Sequence, residues 1–444
     1  MISKENTDFV NIVTFFESPE ERNIENLSKV YEDHNIMREG IISILDPDFL
    51  NNIDNRSILI KPNWVRHSLK EKDEICLRTN DNLLVVVLEI ILTKSPKRIL
   101  IGDAPIQISN WDGIVSQKLY NKISELSKQY NIPIHIRDFR RVTFDPEKNE
   151  ITKERKSLNE YVIFNTGEKS YLEPISKKRK SGFRVTNYNP DRLAESHNLG
   201  THKYCIIKEL FEVDVVLSIP KIKTHEKTAI TGALKNLVGV NGDKDYLPHH
   251  RVGGTGFGGD CYPGKSVLRR LSEYFRDKAN RKQGKYSYRP WILASDIFWI
   301  ISRPKNVHQI AAAWYGNDTT WRMVMDLNII AEFGTKDGTL HEKSQRRIYS
   351  LTDGIIAGQG NGPLYPDPLP FGCLSFSNNN ALNDICMARL MNFDERKISL
   401  LLNARKNFVS NETRITINKK EVDEKELTEY SIKTNPPIGW IGYL

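Results

Sequence analysis

A dense group of cationic side chains follows one apolar run of the sequence. Lys221, Lys223, His225 and Lys227 lie within seven residues, directly after the run Val213–Ile219. Ammonium groups bind phosphates and carboxylates, and a histidine beside them can accept or donate a proton near neutral pH. The spacing therefore predicts an anion-binding loop with acid–base capacity. The alternative is a solvated basic edge that has no specific ligand.

The next residues predict a helix that begins near Thr228. Thr231 and Lys235 would then stand four residues apart on one helix face. A helix N-terminus would add free N–H groups and the positive end of a dipole to the lysine charges. Because Lys235 lies among apolar residues, it must pair with an anion or reach into a cleft. We therefore expect His225 and Lys235 to be catalytic.

Two aspartates follow other apolar runs and could act as acids or bases. Asp103 comes after Arg98–Ile101, and Asp353 comes after Arg347–Leu351. Carboxylates at strand ends serve as general bases or as ligands of hard cations, although aspartate is also a common turn residue. We include both aspartates among the predicted catalytic residues. The predicted substrate-binding residues are polar residues of the same group of loops: Lys61, Asn63, Lys221, Lys223, Asn236 and Asn361.

Histidines make a bound transition metal possible. The candidate ligands are His202, His225, His249 and His250. The sequence has no HExxH motif, so the presence and identity of a metal stay open, as does a lysine-linked cofactor. The five cysteines are scattered and never spaced as CxxC. This pattern predicts reduced thiols, with neither a disulfide framework nor an iron–sulfur cluster.

Short apolar runs alternate with helix patterns along the chain. One clear helix is Leu83–Leu92, which follows the capping candidates Asn80 and Asp81. Alternating strands and helices predict an α/β fold with a mainly parallel sheet, flanking helices and a ligand cleft at the carboxyl ends of the strands. We divide the chain into an α/β domain at 1–240, a glycine-rich and helical insertion or lid at 241–345, and a C-terminal α/β part at 346–444 that completes the cleft.

Composition favours small partners over large ones. The 444 residues include 64 lysines and arginines against 56 aspartates and glutamates, a net charge of +8. This mild surplus suits a cleft for small anions better than a nucleic-acid surface, for which the candidates are Lys177–Lys180 and a basic helix at Arg269–Lys282. No apolar stretch of 18 residues and no secretory leader is evident, which predicts a cytoplasmic protein without membrane contact.

The glycine-rich part of the insertion contains a phosphate-loop string. Residues Gly259–Ser266 fit the pattern GxxxxGK[ST], but no apolar strand precedes them. A working phosphate loop follows a buried strand. We therefore interpret the run Gly253–Gly259 as a lid or a backbone nest that touches a ligand.

Several of these motifs together resemble an uncharacterised bacterial and archaeal family, domain of unknown function 362. The resembling elements span residues 57 to 395 and are Ile60–Asn63, Gly102–Asp103, Pro220–His225, Ala233–Asn236 and Asp353–Pro363. Some members of that family carry a cysteine-rich ferredoxin segment. This chain has none, so the resemblance implies no electron-transfer role here.

A fainter resemblance is to nickel-dependent lactate racemases. In that family a histidine precedes, at similar spacing, a lysine that anchors a pyridinium-derived nickel cofactor. Here His225 and Lys235 are ten residues apart, with Thr231-Gly232 between them. The aspartate-threonine-arginine phosphate loop and the second catalytic histidine motif of that family are not recognisable. The resemblance thus implies a shared architecture and a lysine–histidine site rather than racemisation.

These observations predict an enzyme that acts on a small phosphorylated or carboxylated substrate. Lysines would bind the anion, while His225 and an aspartate would move protons. The sequence leaves open whether a divalent metal assists. A second hypothesis is a non-catalytic protein that binds anions or nucleotides through the same loops. Nucleic-acid binding is the third.

Overall fold

One large mixed sheet organises the chain. The computed structural model describes residues 7–145, 150–151, 156–177, 182–283, 285–302 and 312–444, so Lys178–Lys180 of the predicted nucleic-acid surface lie outside the described residues. The strands are β1 (Asp8–Thr14), β2 (Ser57–Pro62), β3 (Arg98–Asp103), β4 (Ile134–Asp138), β5 (Phe144–Asp145), β6 (Glu150–Ile151), β7 (Tyr161–Asn165), β8 (Phe183–Arg184), β9 (His197–Asn198), β10 (Thr201–Ile207), β11 (Val215–Ile219), β12 (Lys221–His225), β13 (Ala229–Thr231), β14 (His250–Arg251), β15 (Arg347–Gln359), β16 (Asp367–Leu369), β17 (Cys373–Ser377), β18 (Thr413–Ile417) and β19 (Lys420–Glu421).

Helices cover both faces of this sheet, and further helices lie in the segments between its strands. They are α1 (Ile24–Glu32), α2 (His34–Ile44), α3 (Pro47–Asn52), α4 (Asp73–Cys76), α5 (Asp81–Leu92), α6 (Gln117–Tyr130), α7 (Pro190–Ser196), α8 (Ala233–Asn236), α9 (Val267–Asn280), α10 (Tyr288–Ser302), α11 (Thr320–Phe333), α12 (Asn380–Leu390) and α13 (Ser399–Phe408). Among the residues that the structure describes, no helix combines the length and apolar character needed to cross a bilayer.

The sheet has twelve strands among the described residues, and the strands of one half run parallel to one another. Its order is β19-β18-β1-β17-β15-β11-β2-β3-β4, and β12, β13 and β16 pair off this path. From β15 to β4 each strand runs parallel to the next. The antiparallel contacts lie chiefly around β17. The predicted α/β fold with a mainly parallel sheet and flanking helices is confirmed.

Alternation along the buried strands sends side chains into two cores. On β2, Ile58 and Ile60 face the core beneath α1, α2, α5 and α6, whereas Leu59 faces the core beneath α11, α12 and α13. Successive strand residues point to opposite faces, so a strand with helices on both sides is apolar throughout. This burial fixes the carboxyl ends of β2, β3 and β11 side by side.

Three local predictions are wrong. The segment after β11 is not a loop but β12, which pairs with β13 and β15. The residues after Thr228 form β13 before the four-residue helix α8. Thr231 therefore does not share a helix face with Lys235. Asp353 does not follow its strand either, because β15 continues for 13 residues and Asp353 lies in its middle. Partners on both sides of β15 extend it well beyond its apolar start.

The capping prediction for α5 is confirmed and can be measured. The Asn80 side chain accepts hydrogen bonds from the N–H groups of Asn82 and Leu83 at the start of α5. We expect Asn80→Ala to lower the free energy of unfolding by about 1 kcal/mol. Asn80→Ser should keep most of that stability, because serine also caps helices. Urea unfolding followed by tryptophan fluorescence distinguishes the two, and equal losses would contradict the capping role.

Candidate functional site

A buried ion pair joins the carboxyl ends of β2 and β3. Lys61 Nζ lies 2.7 Å from Asp103 Oδ1, and both side chains are buried. The N–H groups of Trp64 and Ala104 also donate to the Asp103 carboxylate, each at 2.7 Å. Burial lowers the pKa of Lys61, and the charge of Asp103 opposes part of that shift. Gly239 passes so close that a Cβ there would lie 2.0 Å from Asp103 Oδ1, so only glycine fits.

Two asparagines connect this pair to β12. Asn236 Oδ1 accepts from Asn63 Nδ2 at 3.1 Å and from Lys61 Nζ at 3.4 Å. Lys223 Nζ donates to Asn63 Oδ1 at 2.9 Å and to the Leu77 carbonyl. Burial lowers the pKa of Lys223 to about 7. Lys223 is thus held by neutral oxygens, whereas Lys61 is held by a carboxylate.

A second buried ion pair lies beside this network. Asp353 Oδ2 accepts from Lys221 Nζ at 3.1 Å and from the Asn80 N–H at 3.0 Å. Its Oδ1 accepts from the Tyr31 hydroxyl at 2.5 Å, and Tyr31 in turn accepts from Lys221. Burial lowers the pKa of Lys221, and Asp353 opposes the shift. Asp353 is fully buried, and both its oxygens have protein donors, which is the environment of a structural ion pair.

Lys235 differs from the three lysines described above because no described residue pairs with its ammonium group. It is partly buried and lies near Lys227, Lys244 and the Lys61–Asp103 pair. Burial, followed by the charges of Lys244 and Lys227, lowers the pKa of Lys235 to about 7. A desolvated cation among other cations is unfavourable unless an anion joins it. The surroundings of Lys235 therefore carry an excess of positive charge.

Lys244 adds a cation that sequence reasoning did not select. Its Nζ donates to the Ala104 carbonyl at 3.3 Å. Burial lowers the pKa of Lys244 to about 8, and Asp103 opposes the shift. Lys244 lies in a turn of the sequence Asn-Gly-Asp-Lys-Asp, which looks like an ordinary surface turn. Long-range contacts hold this turn in place, among them the bridge between Ile206 and Asn241 and the hydrogen bond from the Gly242 N–H to the Cys205 carbonyl.

Two neutral histidines face the same cluster. Burial, followed by the charge of Lys235, places the pKa of His225 and of His249 well below the usual value. His225 Nδ1 accepts from the Lys227 N–H at 3.0 Å, which puts the ring proton on Nε2. His249 Nδ1 donates to the Leu247 carbonyl at 2.7 Å, which leaves Nε2 as an acceptor. The two rings therefore present one N–H donor and one free lone pair.

The predicted site residues divide into three groups. The structure brings together Lys61, Asn63, Asp103, Lys223, His225, Lys235 and Asn236, with His249 beside them. Lys221 and Asp353 form the neighbouring ion pair. Asn361 is exposed, and its Oδ1 accepts from the Ile438 N–H. His202 lies on β10, where Glu173 and His197 engage its ring nitrogens.

The predicted anion site at a helix N-terminus is wrong. The helix that follows β13 is α8, and the Asp384 carboxylate occupies its N-terminus, accepting from Ala233 N–H at 2.6 Å and Leu234 N–H at 3.0 Å. Asp384 comes from α12, far along the chain, and sequence spacing gives no sign of this contact. The cations near Lys235, rather than a helix dipole, make the site attractive to anions.

A cavity of about 340 Å³ lies elsewhere and is lined by residues of β2, β3 and β4 together with Glu209 and Val213. Its charged lining residues already have partners: Arg98 donates to Ser57 and Glu212, and Arg137 pairs with Glu160 and Glu209. None of the lysines near Lys235 lines it. This cavity is therefore separate from the lysine cluster.

The fold and the site define an α/β protein with an open sheet and a lysine-rich cluster at the strand ends. The family described as Domain of unknown function (DUF362) matches residues 164–389, just over half of the chain. The chain belongs to this family, which confirms the resemblance found in the motifs. The matched range includes β12, Lys235 and both His225 and His249, whereas Lys61 and Asp103 precede it.

Other comparisons add little. No curated protein matches the chain. Similar solved structures include a Thermotoga maritima protein determined by a structural genomics consortium, with 11% identity and a TM-score of 0.31. The match covers 77% of this chain and 56% of that one, so this chain spans little more than half of that protein's length. Nothing in the comparisons supports the resemblance to nickel-dependent lactate racemases.

The buried position of Asp353 can be tested through stability. Asp353→Asn removes the charge partner of Lys221, and breaking a buried pair in this way costs about 3–5 kcal/mol. The matched control is Asp367→Asn, which removes the exposed partner of Lys72 and should cost less than about 1 kcal/mol. Urea unfolding measures both variants. Equally small losses would show that Asp353 does not support the fold.

Proposed function

We propose that this protein is an enzyme whose substrate is a small phosphorylated or carboxylated molecule bound at the carboxyl ends of β2, β3 and β12. The observation that carries the proposal is the Lys235 ammonium group, which has no partner among the described residues and lies near Lys227, Lys244 and Lys61. The nearby carboxylate, Asp103, is already paired with Lys61. A bound anion would relieve this repulsion, because it would supply the charge that the protein leaves unmatched.

The histidines give this anion site its acid–base chemistry. In the proposed complex, Lys235 and Lys244 hold the anionic group. His225 donates from Nε2, and His249 accepts at Nε2 from a neighbouring group of the same substrate. A donor and an acceptor on one ligand can transfer a proton in each direction, as general acid–base catalysis requires. Asp103 keeps Lys61 charged and in place rather than touching the substrate.

The charges of α9 argue for a small anion rather than nucleic acid. Arg269 is buried against the rings of Tyr262 and Trp299, and Arg276 and Arg281 pair with Asp296 and Asp191. Cations held in this way are poorly placed to follow a phosphate backbone. The described part of the predicted nucleic-acid surface therefore offers fewer free charges than its sequence suggests.

Anion binding by Lys235 is the first experiment. We expect phosphate or sulfate to raise the melting temperature of the wild type and to bind Lys235→Gln at least about tenfold more weakly, the effect of losing one charge-assisted hydrogen bond. The unliganded Lys235→Gln variant should be at least as stable as the wild type, because it removes a repelled cation. Lys118→Gln, which removes an exposed lysine of α6, is the matched control. Equal anion affinity in both variants would refute the site.

Catalysis is separated from simple binding by solvent exchange. Phosphorylated and carboxylated compounds that bind are incubated with the protein in D₂O and followed by NMR. Deuterium incorporation or product formation that is lost in His225→Asn supports the enzyme. Tight binding with no change in any ligand would instead favour the non-catalytic anion-binding protein.

The affinity for anions should also depend on pH. Sulfate keeps its charge from pH 6 to 9, so any change in its affinity reports on the protein. The pKa values of about 7 for Lys235 and about 8 for Lys244 mean that both ammonium groups are charged at pH 6 and lose protons above these values. Bound sulfate favours the protonated lysines, so affinity should be highest at pH 6 and fall by up to about tenfold per unit for each linked proton. A flat profile in the wild type would contradict the roles of both lysines.

A further inference from the structure

Three potential metal ligands converge in the segment after His249. They are His250 of β14, Cys261 of the turn that follows the glycine-rich run, and Glu273 of α9. One ligand atom from each lies within 4.8 Å of the others. His250 and Cys261 are buried, and Glu273 is partly buried. The three residues, separated by 11 and 12 positions in the sequence, therefore lie close together inside the fold.

A second observation points to a missing ligand at this place. The His250 side chain is only 6% exposed, yet its Nδ1 is buried and has no hydrogen-bond partner among the described residues. An unsatisfied buried polar atom destabilises the folded state. A metal ion bound to the imidazole is one way for such a ring to be satisfied, since neutral histidine is a common ligand.

Backbone contacts hold the other two ligands in position. The Gly253 N–H donates to both oxygens of Glu273 at 3.0 Å, and the Gly253 carbonyl accepts from the Cys261 N–H at 3.0 Å. Gly253 has a φ of +89°, a conformation that favours glycine. The glycine-rich run expected to be a lid or a nest therefore frames these side chains, which is the role of outer contacts around a metal centre.

We propose that His250, Cys261 and Glu273 bind one divalent cation of the zinc type. Imidazole nitrogen, thiolate sulfur and carboxylate oxygen form a mixed set that suits Zn²⁺, whereas Mg²⁺ and Ca²⁺ prefer oxygen ligands alone. On binding, the Cys261 thiol gives its proton to solvent, and the thiolate and the Glu273 carboxylate together balance the two positive charges. Three protein ligands leave the fourth tetrahedral position for water or another ligand.

This site does not depend on the proposed anion site. It would stand if the protein had no catalytic activity, because it would then fasten β14 and the glycine-rich run to α9. Lys227 lies near both places, since its charge affects His225 and Lys235 on one side and Cys261 on the other.

Cobalt titration tests the proposal with a readout that identifies the sulfur ligand. Untagged full-length protein is stripped with a chelator and titrated with Co²⁺. We expect one equivalent to bind with a thiolate-to-cobalt charge-transfer band and the visible bands of a tetrahedral site, and Zn²⁺ to displace it. Cys261→Ser should lose the charge-transfer band, and Glu273→Gln and His250→Gln should lose stoichiometric binding. His341→Gln, which removes an exposed histidine, is the matched control and should bind as the wild type does.

Two outcomes would overturn the proposal. One is the absence of a thiolate band in folded wild-type protein, and the other is stoichiometric binding that survives in Glu273→Gln and His250→Gln alike. Circular dichroism of each variant shows whether it is folded. If Cys261→Ser does not fold, Glu273→Gln decides the question, because it changes one partly buried carboxylate and leaves the thiol intact. Zinc should also raise the melting temperature of the wild type but not that of Glu273→Gln.

Discussion

The structure depends on the partners that its buried lysine ammonium groups have at the carboxyl ends of the parallel strands. A lysine taken out of water needs a carboxylate or several oxygens, since an unpaired buried charge is strongly destabilising. Lys61 has Asp103, and Lys221 has Asp353. Lys223 has only neutral oxygens, and Lys235 has no described partner. Of these four lysines, Lys235 is therefore the one without a partner among the described residues, so an anion would bind beside it.

The matched and unmatched charges have different consequences. The Lys221–Asp353 pair fixes β12 against the middle of β15, with Asp353 directly opposite Lys221 in the register. The Lys61–Asp103 pair joins the ends of β2 and β3, and Lys61 also donates to Asn236, the residue that follows Lys235 in the sequence. These two ion pairs make the strand ends rigid, whereas the repelled ammonium group of Lys235 lowers the stability of the folded state. This combination is expected at a binding site, where a charge that binds the ligand can lower the stability of the unliganded protein.

Local pattern explains why some features were predicted from the sequence and others were not. The apolar strands and the Asn80 cap of α5 depend on neighbouring residues, so periodicity and capping chemistry reveal them. The sequence predicts a loop at the position of β12 because its lysines look solvated, although Lys221, Lys223 and His225 alternate with the period of a strand. The partners of Lys221 come from α1 and β15, and those of Lys223 from the residues that directly follow β2 and α4, so no local pattern predicts these contacts. No sequence motif singles out Lys244, because its position at the site likewise depends on long-range contacts of its turn.

The alternation of side chains also links the two proposed sites. His249 faces the lysines, and the next residue, His250, faces Cys261 and Glu273. Adjacent residues of an extended segment point in opposite directions, so this one segment supplies a ligand to each place. A metal bound to His250 would fix the backbone that carries His249, and with it the position of the free Nε2 beside Lys235. Metal binding would therefore order one wall of the anion site even if the ion never touched the substrate.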